Sequence, residues 1–248
     1  MKRLVLAGIA TLTLAGAPAF AADMPVRVPA YKAPPPILDQ WTGCYLGGNV
    51  GWGWSHKDYT GVVGGAAGLS EGSQTADGFV GGGQLGCDYQ FAPNWVVGVQ
   101  GMWDWGDVRG FNASTVFPAN VFHTDDRSFA TIAGRLGYSV NPLTLVYAKF
   151  GYGWLDDHNT VTSAGVLSNA VNVTRSGFDL GGGLEYKFAP NWSTFVEYDH
   201  MFLGTKTPTF GGVGAAPLGT FPETIRQSFD KVLVGINYRF GGPLTARY

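Results

Sequence analysis

The chain has 248 residues, of which 14% are charged, while Gly accounts for 38 residues and Trp, Tyr and Phe for 8, 11 and 16. Its formal net charge of −2 disfavours nucleic acid as a partner. After the first 21 residues, no apolar run reaches the roughly 18 residues that a transmembrane helix needs, which excludes a helical span. Low charge with many aromatic residues and glycines is typical of strands in which apolar and polar residues alternate.

The first 21 residues predict a secretory signal peptide. Lys2 and Arg3 precede an apolar run, and Ala19-Phe20-Ala21 supplies a small-x-small cleavage site. No cysteine lies at the cleavage point, so a lipid anchor is not expected. Residues 22–40 contain several prolines and no periodicity, which indicates an extended, periplasmic lead segment rather than a domain.

Residues 41–240 alternate between apolar and polar positions with a period of two, which predicts β-strands. The clearest strand is GFDLGGGLEYKF, whose large apolar side chains fall on one face and whose charges, Asp179, Glu185 and Lys187, fall on the other. The same alternation predicts eight strands, at about residues 42–55, 78–91, 95–107, 127–140, 143–155, 177–188, 192–203 and 225–240.

The predicted connections alternate in length. Three are short turns with Pro and Asn, at residues 92–94, 141–142 and 189–191, and two of them repeat the pentapeptide FAPNW. The other four run to roughly 15 to 20 residues rich in Gly, Ser, Thr and Asn. This pattern predicts an all-β fold over residues 41–240: an eight-stranded antiparallel up-and-down transmembrane β-barrel with short periplasmic turns and long extracellular loops.

The aromatic residues favour a membrane barrel over a soluble one. Trp95 and Trp105 are separated by about 34 Å of strand, which a tilt near 45° projects to roughly 24 Å along the barrel axis. This matches the apolar band of about 25 Å between two aromatic girdles, whereas a soluble barrel would bury such residues in its core. The predicted girdle residues are Trp52, Trp54, Phe91, Trp95, Trp103, Trp105, Tyr152, Trp154, Phe188, Trp192, Tyr238 and Phe240.

The opposite face of the strands is polar and is predicted to line the lumen. Its charged residues are Asp88, Asp104, Arg135, Lys149, Asp179, Glu185, Lys187, Glu197, Asp199, Lys231 and Arg239. Because acids and bases nearly balance and an eight-stranded lumen is narrow, we expect these groups to pair across it. A lumen plugged by charged side chains is therefore predicted, and a narrow porin-like channel for small solutes is the alternative.

The two cysteines, Cys44 and Cys87, fall on the outward phase of adjacent strands. They could form a disulfide in an oxidising periplasm, or they could be two small residues that face lipid. We favour the free thiols, because a disulfide across paired strands fits poorly.

No catalytic, metal or cofactor site is predicted, and the chain is not expected to be an enzyme. Residues 123–126 and 156–158 place paired aspartates beside a histidine, an arrangement that could activate water. The favoured interpretation is that these acids are solvated or bind divalent cations that they share with lipopolysaccharide. The histidines also lack the spacing of metal ligands: they are His56, His123, His158 and His200.

Several motifs resemble a known family. They are WTGCYLGGNVGWGW after the proline-rich lead, the glycine triplets at residues 81–83 and 181–183, GRLGY at residues 134–138 and the final KVLVGINYRF. Together they are similar to the small opacity-type outer-membrane proteins of alphaproteobacteria, the porin family with an outer-membrane β-barrel domain. The resemblance implies a Gram-negative surface protein that helps to maintain the outer membrane, in some members antigenic or porin-like, without enzyme chemistry.

The resemblance also implies partners. These are outer-membrane lipid and lipopolysaccharide, and the barrel assembly machinery during insertion; peptidoglycan and a host surface contacted by the loops are further alternatives. A monomer is expected. Members of this family commonly end on the last strand, whereas residues 241–248 follow Phe240 here. Either Tyr238 and Phe240 act as an internal assembly signal or Tyr248 supplies the terminal aromatic residue.

Overall fold

The computed structural model of the protein describes residues 41–62, 67–212 and 219–240. The predicted signal peptide at residues 1–21, the lead segment at 22–40 and the tail at 241–248 lie outside these ranges. Within the described ranges, no helix has the length and apolar composition needed to cross a membrane.

The described chain folds into antiparallel strands that close into a ring. The strands are β1 (Gly43–Gly61), β2 (Ser70–Gln90), β3 (Trp95–Ala113), β4 (Asn120–Asn141), β5 (Thr144–Ser163), β6 (Val166–Ala189), β7 (Trp192–Lys206), β8 (Thr209–Gly212) and β9 (Phe221–Phe240). Strands β1 to β7 pair in chain order, β7 pairs with β9, and β9 closes the ring on β1. The short β8 is not part of the ring of eight and pairs with β6 and β9. The predicted eight-stranded up-and-down barrel is confirmed.

The strands extend further at the end opposite the short turns, here called the loop end, than the sequence predicted. β1 continues to Gly61, and the connections after β3 and β5 shrink to residues 114–119 and 164–165. The prediction of roughly 15 to 20 residues in these outer loops is therefore wrong. The reason is that strand pairing needs backbone hydrogen bonds rather than an apolar face. The seven residues that follow Trp54, up to Gly61, add roughly 24 Å of strand beyond the aromatic positions.

The repeated FAPNW pentapeptide forms two of the short turns in the same way. Asn94 donates from Nδ2 to the carbonyl oxygen of Ser139 at 2.6 Å, and its own carbonyl accepts from the Ser139 amide at 2.7 Å. Asn191 makes the equivalent pair of bonds to the backbone of Arg239, both at 2.8 Å. Each repeat therefore fastens its hairpin to the end of the next strand in the ring, which explains why the same asparagine recurs.

The two cysteines correct the sequence-based expectation. Cys44 and Cys87 are directly opposed on β1 and β2 and form a disulfide, with their Cα atoms 3.9 Å apart. The preference for free thiols was wrong because the register of β1 against β2 sets the two cysteines directly opposite each other. Their Cα atoms lie closer than those of antiparallel partners usually do. Antiparallel partners without mutual hydrogen bonds approach to about 4.5 Å, and their side chains lie close together.

The disulfide leads to a labelling prediction. Protein unfolded in urea without a reductant is expected to react with a maleimide at neither cysteine, and at both after reduction. The Cys44→Ser variant is expected to fold but to lose about 2–4 kcal/mol of stability, the usual worth of such a cross-link. Full labelling of both thiols in the unreduced wild type would contradict the bond.

Candidate functional site

The predicted girdle residues lie on the outer surface at two heights. Eleven of the twelve are exposed and Tyr238 is half-buried. At the short-turn end, Trp95 and Trp192 each pack edge-on against a tyrosine of the neighbouring strand, with ring centroids 5.2 and 5.0 Å apart. Towards the loop end, Ala130 pairs with both Trp103 and Trp154, which sets these two indoles at one level. Between the two levels the outer surface is apolar.

All eleven predicted lumen charges are buried on the inner face, and none is more than 7% exposed. They form two layers along the barrel axis. The basal layer, nearest the short turns, consists of Asp88, Arg135, Glu185 and Arg239. The middle layer consists of Asp104, Lys149, Asp179, Glu197, Asp199 and Lys231, and Lys187 lies below both.

The basal layer is a closed set of ion pairs. Arg135 pairs with Glu185 and lies 3.7 Å from Asp88, which in turn lies 2.9 Å from Arg239. The guanidinium of Arg135 also donates to the Tyr45 hydroxyl at 3.1 Å. Two acids and two bases therefore balance across four strands, so each buried charge has a partner of opposite sign.

Trp41 covers the base of the interior. It is fully buried and packs with Val96, Leu145 and Tyr147. Its carbonyl accepts a 2.7 Å bond from the Arg239 guanidinium, and the Lys187 ammonium lies 4.5 Å from its ring centroid. The indole ring of Trp41 thus covers the basal layer. Arg239 donates to its carbonyl oxygen, and Lys187 makes a cation–π contact with its ring.

The middle layer is built around two lysines. The ammonium of Lys149 lies 2.7 Å from Glu197 and 2.9 Å from Asp199. That of Lys231 lies 2.7 Å from Asp104 and 3.6 Å from Asp199. Asp199 therefore links the two lysines, which come from β5 and β9. Such buried cations are tolerated only because carboxylates surround them.

Above the middle layer, an apolar layer crosses the interior. Phe129 of β4 and Phe229 of β9 are stacked, with ring centroids 4.3 Å apart. These strands are four positions apart in a ring of eight, so the two rings meet across the diameter. Buried Leu155 and Met201 pack beside them in the same cluster. The contact distance leaves no space for a water molecule between the two rings.

A further charged layer lies towards the loop end, and the sequence reasoning missed it. Lys57 lies 2.7 Å from Asp157 and 3.3 Å from Asp126, and Arg175 lies 3.3 Å from Asp157. These residues were missed because the predicted strands ended at about residues 55 and 155. Continuing the inward alternation by one step, from Ser55 to Lys57, would have found the first of them.

The aspartate–histidine clusters are split between the two faces of the wall. Asp126 and Asp157 point inward, whereas Asp125 lies outward and pairs with Arg127 at 2.7 Å. Asp156 accepts hydrogen bonds from Ser128 and Thr174. The acids are thus engaged by neighbouring residues. In the described part of the chain, no group of three or more potential metal ligands is found.

Comparison with known proteins agrees with this architecture. The family model for the outer membrane protein beta-barrel domain matches residues 7–240. The 31 kDa outer-membrane immunogenic proteins of Brucella melitensis and Brucella suis are each 30% identical over 254 residues, covering 97% of this chain and 100% of theirs. The crystal structure of the outer membrane protease OmpT from Escherichia coli shares the fold alone, with a TM-score of 0.53 at 9% identity, covering 82% of this chain and 98% of OmpT. The chain belongs to the outer membrane protein beta-barrel domain family and is a protein of the Gram-negative outer membrane.

Proposed function

We propose that the protein is a structural component of the outer membrane, with its short turns in the periplasm and its lumen closed by its own side chains. The observation that carries the proposal is the stacked pair of Phe129 and Phe229, whose centroids meet at 4.3 Å across the diameter. A channel for hydrophilic solutes needs a continuous column of water, and this apolar contact interrupts it. The narrow-pore alternative is therefore disfavoured.

The charged layers support a structural role. Lys57 on β1 and Asp157 on β5 are paired across the ring, and Arg135 joins β4 to β6. Buried pairs of this kind fix which groups face each other, because a displaced partner leaves a charge unpaired at a cost of several kcal/mol. The lumen therefore acts as internal bracing that keeps the apolar outer band presented to lipid.

We also infer that the loop end contributes to the antigenic surface of the cell. The strands continue past the upper aromatic level to Gly61 and Glu223, so several rungs of polar strand project beyond the apolar band. The Brucella relatives are named immunogenic proteins. No enzymatic activity is proposed, because the outward Asp125 is already paired with Arg127.

A deletion strain tests the structural role. Loss of the protein is expected to increase sensitivity to detergents and to large antibiotics that the outer membrane normally excludes, because a component that braces the bilayer is missing. Expression of the wild-type chain restores resistance, and uptake of small sugars is the same in both strains. Slower sugar uptake with unchanged detergent resistance would contradict the proposal and favour a pore.

A further inference from the structure

A cavity of about 530 Å³ opens at the loop end of the barrel. It lies between the end of β1, the start of β2, the connection after β3 and the start of β9. Its wall is mainly apolar and includes Phe117, Pro118, Phe221 and Pro222. The cavity is separate from the charged layers, and the proposed structural role does not use it.

Two carboxylic acids line this apolar cavity. Glu223 of β9 is 2% exposed, and its Oε1 atom has no hydrogen-bond partner among the described residues. Glu71 of β2 is 5% exposed and accepts a 2.7 Å bond from the Ser114 hydroxyl. Gly61 of β1, the cross-strand partner of Glu223, also lines the cavity and has no side chain to fill it. The site thus combines an unpartnered carboxyl oxygen with an apolar wall.

The ligand that would pair with the Glu223 carboxylate should be a cation that carries an apolar chain. A buried carboxylate is costly unless a cation or donors accompany it, and among the described residues Glu71 is the one neighbouring charge that acts on Glu223. A divalent metal prefers about six or more oxygen ligands, which two carboxylates in an apolar wall do not supply. An ammonium group offers three donors, and an alkyl chain attached to it would cover the phenylalanine and proline surfaces.

We propose that this cavity binds a primary alkylammonium cation, with the ammonium against Glu223 and Glu71 and the alkyl chain along Phe117 and Phe221. The same chemistry is carried by a small amphiphilic amine and by a lysine side chain of a peptide. A free amine is the simpler probe, since it tests the site without further contacts.

The pH dependence of binding follows from the environment of Glu223. Burial, and then the charge of Glu71, raise the pKa of Glu223 from 4.5 to about 8. Glu71 is the titratable group that lines the cavity with it; the lining residues from β1, β4 and the connection after β3 do not titrate. Below pH 8 a proton occupies the carboxylate, whereas an alkylamine with a pKa near 10.4, like that of lysine, stays charged. Affinity should therefore rise by up to about tenfold per pH unit between pH 6 and 8 and then level off.

Calorimetric titration of the full chain in zwitterionic nanodiscs, with empty nanodiscs as the blank, tests the proposal. Hexylammonium is expected to bind, and hexanol and hexanoate are not. Shortening the chain to propylammonium should weaken binding by about threefold to fourfold per methylene removed. Equal binding of hexanol, or affinity that falls between pH 6 and 8, would overturn the proposal.

Variants separate the acids from the apolar wall. Glu223→Gln should weaken hexylammonium binding at pH 9 by about tenfold or more and abolish its rise with pH. Glu71→Gln should move that rise to lower pH, because it removes the charge that raises the pKa of Glu223. Asp58→Asn, at an exposed acid of β1, is the matched control and should change nothing. Folding is checked by heat-modifiable gel mobility, and wild-type affinity in folded Glu223→Gln would overturn the proposal.

Discussion

Replacing Arg135 with alanine is expected to destabilise the folded barrel by about 3–5 kcal/mol, because the buried Glu185 carboxylate loses its principal partner. The guanidinium also stacks 3.6 Å from the centroid of the Tyr147 ring, and that contact is lost as well. Urea titration in lipid vesicles, followed by tryptophan fluorescence, measures the change. A loss below about 1 kcal/mol would indicate that bulk water solvates these charges.

The double variant Arg135→Met with Glu185→Gln is the matched control. It removes one acid and one base together and leaves the 2.9 Å pair between Asp88 and Arg239 in place. The glutamine oxygen can still accept from Ser193, which lies 2.5 Å from the Glu185 carboxylate. We expect the double variant to be less destabilised than Arg135→Ala, since no buried charge is left alone. If the stability loss of the double variant equals the sum of the losses of Arg135→Met and Glu185→Gln measured singly, the two residues do not interact.

Alanine at Gly51 or Gly177 is expected to prevent stable folding. A Cβ atom at these inward positions would lie 1.9 Å from the Val232 carbonyl oxygen and 1.8 Å from that of Phe202, respectively. Both atoms belong to the backbone of a neighbouring strand, so relief would require the barrel wall to move. The cost should be about 3 kcal/mol or more, seen as loss of the folded, heat-modifiable band on a gel.

Gly101→Ala, at an outward position of β3, is the control for these glycines. A Cβ atom at Gly101 would meet no atom within 4 Å. Alanine is favoured over glycine in a strand by roughly 0.5–1 kcal/mol, so this variant should fold at least as well as the wild type. If Gly51→Ala and Gly101→Ala behave alike, close strand approach is not the reason for the inward glycines.

The period-two pattern was sufficient to predict the barrel and the direction of most side chains. Residues such as Glu185 and Lys187 were assigned inward because the charges and the large apolar groups of their strand fall on opposite faces. The same argument failed at Lys57, where the expectation of an apolar outer face ended the strand too early. Above the apolar band both faces of a strand are polar, so the alternation of apolar and polar residues no longer shows where the strand ends.

Contacts between strands could not be read from the alternation. Cys44 and Cys87 were placed on one face, but their direct opposition depends on the register of β1 against β2. The stacking of Phe129 on Phe229 depends on which strands face each other across the ring. The cavity beside Glu71 and Glu223 is formed by segments that were predicted to be loops. Period-two alternation says nothing about how loop residues pack together.

Single-channel recording in planar lipid bilayers tests the closed lumen most directly. Insertion is confirmed first by heat-modifiable mobility, and a general porin added to the same bilayer verifies that the assay responds. The stacked Phe129–Phe229 pair predicts that the folded wild-type chain leaves the current at its baseline, with no stable steps. Large, stable conductance steps from the wild-type protein would contradict a lumen closed by its own side chains.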